Sequence, residues 1–468
     1  PKDAPDANFS AGSKPLTDFG IVWKMSCNVY KTLPFMKKSL LTLVMVLSLL
    51  VAFSQDSNQV RQYICDLASP AFHGRGYAYN GDSIAAEYLR AQLRQIGVEP
   101  FVKDYYHRYG FNVYAMEGTV KAALDGKSLR PWDDFALAPF SHPADGTFQL
   151  LPINPSDILD PDKLLGFCQK NSAVLSKSLA FVDMSLCTDA EDAKKLNSIF
   201  RQLAWYNGQL PFRGFLVAVK DIPVWSFASA QSSCDYVMAY IHPRKMKKHS
   251  KLTLSYSNVL AYHPTQNVCG MLRGTGEPDS LVLVCGHYDH LGQMGESVVF
   301  PGAHDNASGA SSVLDMARHY KKNPPYYTTL FLLFSGEEAG LMGSTAFVKD
   351  SLFDFSKVKM VLNVDLMCGG ADGIMMVNAQ SDNTKAFYQA MVEYNDEAHL
   401  VKEVRSRANA ANSDHYPFTA KGMPAVFIYT LGGRVGGYHN PDDVCDKCGL
   451  ESYEGIVTLL LKSLEKVR

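Results

Sequence analysis

The chain has no excess of either charge: 45 Lys and Arg stand against 47 Asp and Glu, a formal net charge of -2. A surface without a basic surplus has nothing to gather a polyanion, so nucleic acid is excluded as a partner. Nor does any apolar run reach the roughly 20 residues a membrane-spanning helix needs. The nearest, Leu40 to Phe53, falls short, and no Cys follows it that a lipid anchor would use. Internal repeats and low-complexity blocks are also missing. What remains is 47% apolar and 20% charged, the balance of an ordinary globular protein rather than a disordered or membrane-embedded one. With 468 residues the chain exceeds what one core usually organises, so two domains and a leader are expected.

The leader is read from Met36-Lys37-Lys38, which opens the run Leu40 to Phe53 and ends on Ala52-Phe53-Ser54. Positive residues, a short apolar stretch and small residues are the layout of a secretory signal peptide. Cleavage is expected near Ser54-Gln55, leaving no stable membrane span and an exported protein, periplasmic or extracellular. Residues 1–35 precede this start-like Met and read as an over-extended frame. Nine of the ten Cys follow the leader, an odd number that leaves some unpaired. Cys445-Asp446-Lys447-Cys448 lacks a second Cys pair, and is read as a local disulfide or two plain thiols.

Along the chain, Val60, Ile64 and Leu67 share one helical face, and Ile84, Tyr88, Leu89 and Leu93 another, with Gly97 as the cap that ends it. Between them Gly74-Arg75-Gly76 is a loop. Short strand-like pieces follow, Gly118 to Ala122, Leu179 to Val182 and Gly214 to Val219, with a charged helical stretch between. From Leu281 onward apolar strands alternate with helices. The fold expected is α/β: a mixed, largely parallel sheet covered by helices on both faces, with an inserted smaller β-rich domain. The boundaries expected are a leader over 1–54 (1–35 and 36–54), an N-terminal part of the catalytic domain over 55–112, an insertion over 113–262, and the rest of the catalytic domain over 263–468.

The polar residues fall where those strands end. Leu281 to Cys285 runs into Gly286-His287-Tyr288-Asp289, Leu330 to Phe334 into Ser335-Gly336-Glu337-Glu338, and Val358 to Val364 into Asp365. Open α/β sheets bind ligands beyond the carboxyl ends of their strands. Asp305 opens a helix beside the small residues of Gly302 to Gly309, where alone it would be a helix cap. His439 adds a second imidazole from a glycine-rich loop. Two imidazoles with three carboxylates suit zinc, and less tightly manganese or cobalt. Singly each residue has an ordinary structural explanation; their coincidence at the strand ends does not.

In this order the residues resemble peptidase family M28, whose pattern is His-x-Asp, Gly-x-x-Asp-x-x-x-Gly, Glu-Glu, an Asp after a strand, and a late His. The resemblance covers about 265–468, and Ser69 to Gly97 more loosely. It implies two zinc ions, Asp305 bridging them, with His287 and Asp365 completing one site and Glu338 and His439 the other. Glu337 would be the general base for attack by the water between the ions, and Asp289 would orient His287. By its position the insertion resembles the protease-associated domain of many members. Ser413-Asp414-His415 resembles a segment beside the substrate, so Asp414, His415, Tyr416 and Tyr429 are candidate substrate-binding residues, with Arg434 nearby; as a nucleophilic triad the segment fails, because triads assemble in space rather than in sequence. His290, His304 and Asp315 read as structural. The implied activity is an aminopeptidase acting on peptides with a free N-terminus. The alternatives are a carboxypeptidase or glutaminyl cyclase on the same scaffold, or a binding module that has lost catalysis.

Overall fold

Near-continuous apolar runs set the centre of the fold. In the computed structural model, which describes residues 57–467 except 224, 227–232 and 246–250, they assemble into a nine-stranded sheet. Its strands are β1 (Glu99–Pro100), β2 (Tyr106–Ala115), β3 (Val259–Leu272), β4 (Glu277–His287), β5 (Tyr327–Phe334), β6 (Val358–Val364), β7 (Gly373–Val377), β8 (Val404–Arg407) and β9 (Ala425–Leu431). They lie in the order β1-β3-β5-β4-β6-β9-β7-β8, with β2 also paired to β3. The four central strands β5, β4, β6 and β9 are parallel; the flanks mix directions. The leader expected over 36–54, and residues 1–35 before it, lie outside the described residues.

Side chains alternate across a strand, and here each face has its own core. Val282, Val284, Phe331, Leu333 and Leu362 pack with Val313, Leu314 and Ala317 of the helix Ser308–Lys322. Leu283, Cys285, Leu330, Leu332 and Phe334 pack on the other face with Phe347 and Phe418. Each such large apolar side chain, fully buried, contributes about 1.5–3 kcal/mol. The helix Ser308–Lys322 reaches the sheet because of Gly309: a Cβ there would stand 2.4 Å from the carbonyl oxygen of Val364. The residue type therefore fixes how close Asp305, just before the helix, comes to Asp365, just after β6.

The chain crosses twice from this sheet to a second one through an antiparallel ribbon of β2 and β3, in register from Val268 opposite Tyr106 to Val259 opposite Ala115. The second sheet has eight strands, all drawn from residues between Lys121 and Tyr256. Ala144–Pro152, Ser178–Asp183, Gly214–Ala218 and Val237–Ile241 form a parallel set, with the helices Pro161–Lys170 and Ala190–Arg201 in its connections. Leu291, Met294, Val298 and Phe300, from the loop after β4, share its apolar core. Among the described residues no helix is long and apolar enough to cross a membrane.

The reading of Cys445 and Cys448 as a local bridge is corrected. Cys445 bonds Cys65 in the helix Ser57–Leu67, and Cys448 bonds Cys368 beyond β6. A single 3₁₀ turn, Cys445–Lys447, separates the two thiols and gives them different neighbours. Cys168, Cys187, Cys234, Cys269 and Cys285 remain free.

Candidate metal centre

The parallel register brings the strand ends together: His287 of β4 lies opposite Phe334 of β5, and Cys285 opposite Asn363 of β6. The residues that follow, Asp289, Glu337, Glu338 and Asp365, therefore leave the sheet at one edge. Asp305 stands between two imidazoles. Its Oδ1 is 3.4 Å from His287 Nε2 and its Oδ2 is 3.1 Å from His439 Nε2. His287 Nε2 also lies 3.2 Å from Asp365 Oδ1, and His439 Nε2 3.2 Å from Glu338 Oε2. Ligand atoms about 2.0–2.1 Å from a tetrahedral zinc ion are about 3.3 Å from one another, which is the spacing of these donor atoms.

The charges lead to the same donor chemistry. Burial alone would lower the His439 imidazole, but Glu338 and Asp305 push it up to about 11. Burial likewise opposes the charge on His287, yet Asp365 and Glu337 hold it well above the usual imidazole range. Burial and Asp305 would raise Glu338, but His439 and His290 bring it down to about 2. Glu337 goes the other way: burial, with Glu338 and Asp414 adding repulsion, raises it well above an ordinary carboxyl. A buried cluster this rich in carboxylates calls for cations, and hard or borderline oxygen and imidazole donors suit zinc.

Asp289 is fully buried and does more than face His287. Its carboxylate accepts the backbone N–H groups of Glu337 at 3.2 Å and Glu338 at 3.3 Å, as well as the hydroxyl of Tyr77 at 2.7 Å. The His287 Nδ1 is 3.2 Å from the main-chain oxygen of Asp289 and 3.7 Å from its carboxylate, so the imidazole is oriented mainly by the backbone. Glu337, tied through its N–H, keeps its carboxylate within 4.8 Å of the donor atoms of His287 and Asp365.

Some residues play parts the sequence did not show. His290, read as structural, brings Nδ1 to 2.7 Å from Glu338 Oε1 and forms a compact group with Asp305 and Glu338. Tyr438 stacks on His439 at 3.9 Å between ring centroids and stays half-exposed, a wall open to an incoming molecule. Trp225, from the second sheet's loops, donates its backbone N–H to the carbonyl of His439 at 3.2 Å and stacks on Phe300. None of these belongs to a motif. His304 accepts the Cys368 N–H and Asp315 the Tyr453 hydroxyl.

Ser413 donates to Asp365 Oδ2 at 2.8 Å. Asp414 is buried at the site, its carboxyl pushed up to about 7 by burial, with Asp289 and Asp365 adding to the rise against His287. His415 faces elsewhere, with Nε2 3.1 Å from Asn409 and its ring against Phe427, so the three adjacent residues form no triad. Tyr416 is exposed. Tyr429 accepts from Arg407 at 3.4 Å, and Arg434 lies 3.8 Å from Glu451.

Residues 267–463 match the model of peptidase family M28. Over 180 residues the chain is 29% identical to a probable leucine aminopeptidase of Arthroderma otae, covering 37% of this chain and 50% of that protein. Over 190 residues it is 30% identical to the aminopeptidase YwaD of Bacillus subtilis, covering 38% and 39%. The chain thus spans about half or less of the curated relatives it matches. In fold it is similar to BSAP, a zinc aminopeptidase from Bacillus subtilis, with a TM-score of 0.62 at 18% identity over 87% of this chain and 95% of that one. A peptidase M28 precursor from Shewanella amazonensis superposes with a TM-score of 0.59 at 18% identity, over 88% and 96%.

Proposed function

From a chain that carries a peptidase family M28 domain over residues 267–463, we propose a zinc aminopeptidase that removes N-terminal residues from peptides. The observation that carries the reading is Asp305, whose two oxygens reach His287 on one side and His439 on the other. His287, Asp305 and Asp365 would hold one zinc ion, and Asp305, Glu338 and His439 a second. Zinc supplies Lewis acidity toward the scissile carbonyl and lowers the pKa of water toward neutrality. Glu337 takes the proton of the attacking water and returns it to the leaving amine. Asp289 fixes both glutamates through their backbone N–H groups. Ser413 restrains Asp365, and His290 restrains Glu338. The half-exposed Tyr438 lines the approach, with Tyr429 and the exposed Tyr416 proposed further along that wall; Asp414 stands buried behind the ligands, and His415, turned toward Asn409, takes no part.

The second sheet, over 113–262 with its flanking strands, is read as a protease-associated-like insertion. Its contact from Trp225 to His439 supports a role in shaping the site rather than a separate task. The two disulfides between distant segments support an exported protein, since such bridges persist in oxidising compartments.

Elemental analysis, run with a panel of aminoacyl and N-blocked chromogenic amides, tests the proposal. About two zinc equivalents with cleavage of the free-amine substrates alone is the expected result. One equivalent with cyclisation of N-terminal glutamine would replace the reading by the cyclase, and a metal-free, inactive protein would end it.

A further inference from the structure

Arg75 lies outside the stretch that matches the family, and it is among the largest side chains in the chain that water does not reach. A buried guanidinium ordinarily meets a carboxylate; among the described residues this one donates only to backbone carbonyls. Nε donates to Tyr288 at 2.7 Å, Nη1 to Leu67 at 2.8 Å and Pro301 at 2.6 Å, and Nη2 to Gly302 at 2.7 Å and Asp305 at 3.3 Å. Leu67 ends the helix Ser57–Leu67; the other four carbonyls belong to two segments, the one that follows His287 and the one that leads to Asp305. The backbone of the same turn repeats the link, as Arg75 accepts the N–H of His290 and Gly74 that of Gly292. Gly74 is required for the fit, with φ of +60° and a Cβ that would stand 2.3 Å from the carbonyl oxygen of Gly292.

Asp443 grips the backbone of Asp305 at its N–H. Its Oδ2 accepts the N–H of Asp305 at 3.0 Å and its Oδ1 that of His304 at 2.8 Å, while its carbonyl accepts from Ala303. The residue whose carboxylate spans the two imidazoles thus has its carbonyl held by a cation and its N–H by an anion, from opposite ends of the chain. Both grips are buried and come through a rigid fork and a carboxylate, which fix direction as well as distance.

We infer that Arg75 and Asp443 are positioning residues for the metal centre, which set the backbone of Asp305 so that its two carboxylate oxygens face both imidazoles. This rests on the zinc reading of the site. It makes the N-terminal segment, which supplies no ligand, a determinant of metal affinity.

The test uses the full chain with Arg75→Lys, which keeps the charge and loses the fork, and Asp443→Asn, which keeps the shape and loses one acceptor. Zinc affinity is measured by competition with a chromophoric chelator, the visible spectrum is recorded on the cobalt(II)-loaded protein, and thermal unfolding is followed in excess chelator. Both variants are expected to bind zinc about 10–100-fold more weakly and to show an altered cobalt spectrum. If Arg75→Lys does not fold, Asp443→Asn decides. Folded variants with lower melting temperatures but unchanged zinc affinity and cobalt spectrum would overturn the inference and leave a purely structural role. Wild-type protein that takes up no zinc would overturn the reading of the site, and this inference with it.

Discussion

Tyr77 donates its hydroxyl hydrogen to Asp289 Oδ2 at 2.7 Å, linking the segment before the helix Gly81–Ile96 to the loop after β4. The carboxylate that accepts it also holds the N–H groups of Glu337 and Glu338, so a phenol far away in sequence helps to aim both glutamates. Asp289→Asn places an amide NH₂ where an acceptor was, opposite other donors. Zinc binding is expected to weaken by about 10–100-fold. Tyr77→Phe removes one of the three bonds and should cost less. Titration calorimetry with zinc on both variants checks the order; wild-type affinity in Asp289→Asn would show that the glutamates are held by other means.

Glu337 is the one carboxylate of the adjacent pair that the zinc reading leaves without a ligand role. Glu337→Gln keeps its shape and removes its basicity. The turnover number on an aminoacyl amide is expected to fall by about 10²–10⁴-fold, with zinc content unchanged. Steady-state kinetics beside elemental analysis makes the comparison. Loss of metal in this variant would make Glu337 a ligand, and retained turnover would move the proton transfer to another group.

Cys445 and Cys448 each reach across the fold, to Cys65 and Cys368. The first bridge joins residues 380 apart in sequence, and restricting so long a loop of the unfolded chain stabilises the folded one. Cys65→Ser is expected to lower the free energy of unfolding by about 2–4 kcal/mol, read from chemical denaturation. Peptide mapping by mass spectrometry without reduction should find Cys65 joined to Cys445 and Cys368 to Cys448. A Cys445–Cys448 peptide would restore the local pairing.

That His287, Asp305, Glu338, Asp365 and His439 come together follows from the sequence, because each comes after an apolar run or a glycine-rich turn, and strand ends are where a parallel sheet gathers its polar groups. The parts played by Arg75, Tyr77 and His290 do not. Arg75 and Trp225 act on carbonyl oxygens, which every residue has and no motif records. One imidazole three residues after another carries no pattern, and only the fold turns His290 onto Glu338. The pairing of Cys445 and Cys448 was misread for a related reason: spacing counts residues along the chain, whereas a disulfide needs neighbours in space.

The two imidazoles also fix how zinc uptake responds to pH. In the metal-free protein the carboxylates around them hold His439 at about 11 and His287 well above its usual range, so near neutrality both carry a proton that a ligand must lose. A raised imidazole stabilises the metal-free fold fully below the unfolded pKa of about 6.5, and that contribution disappears as pH climbs through the folded value. Zinc therefore competes with bound protons. Uptake at pH 7 is expected to release about two protons from the imidazoles, with the raised carboxyls of Glu337 and Asp414 adding to the total, and zinc affinity should rise with pH across the neutral range. Titration calorimetry in buffers of different ionisation enthalpy counts them. Release close to zero would mean that both imidazoles are already neutral before zinc arrives.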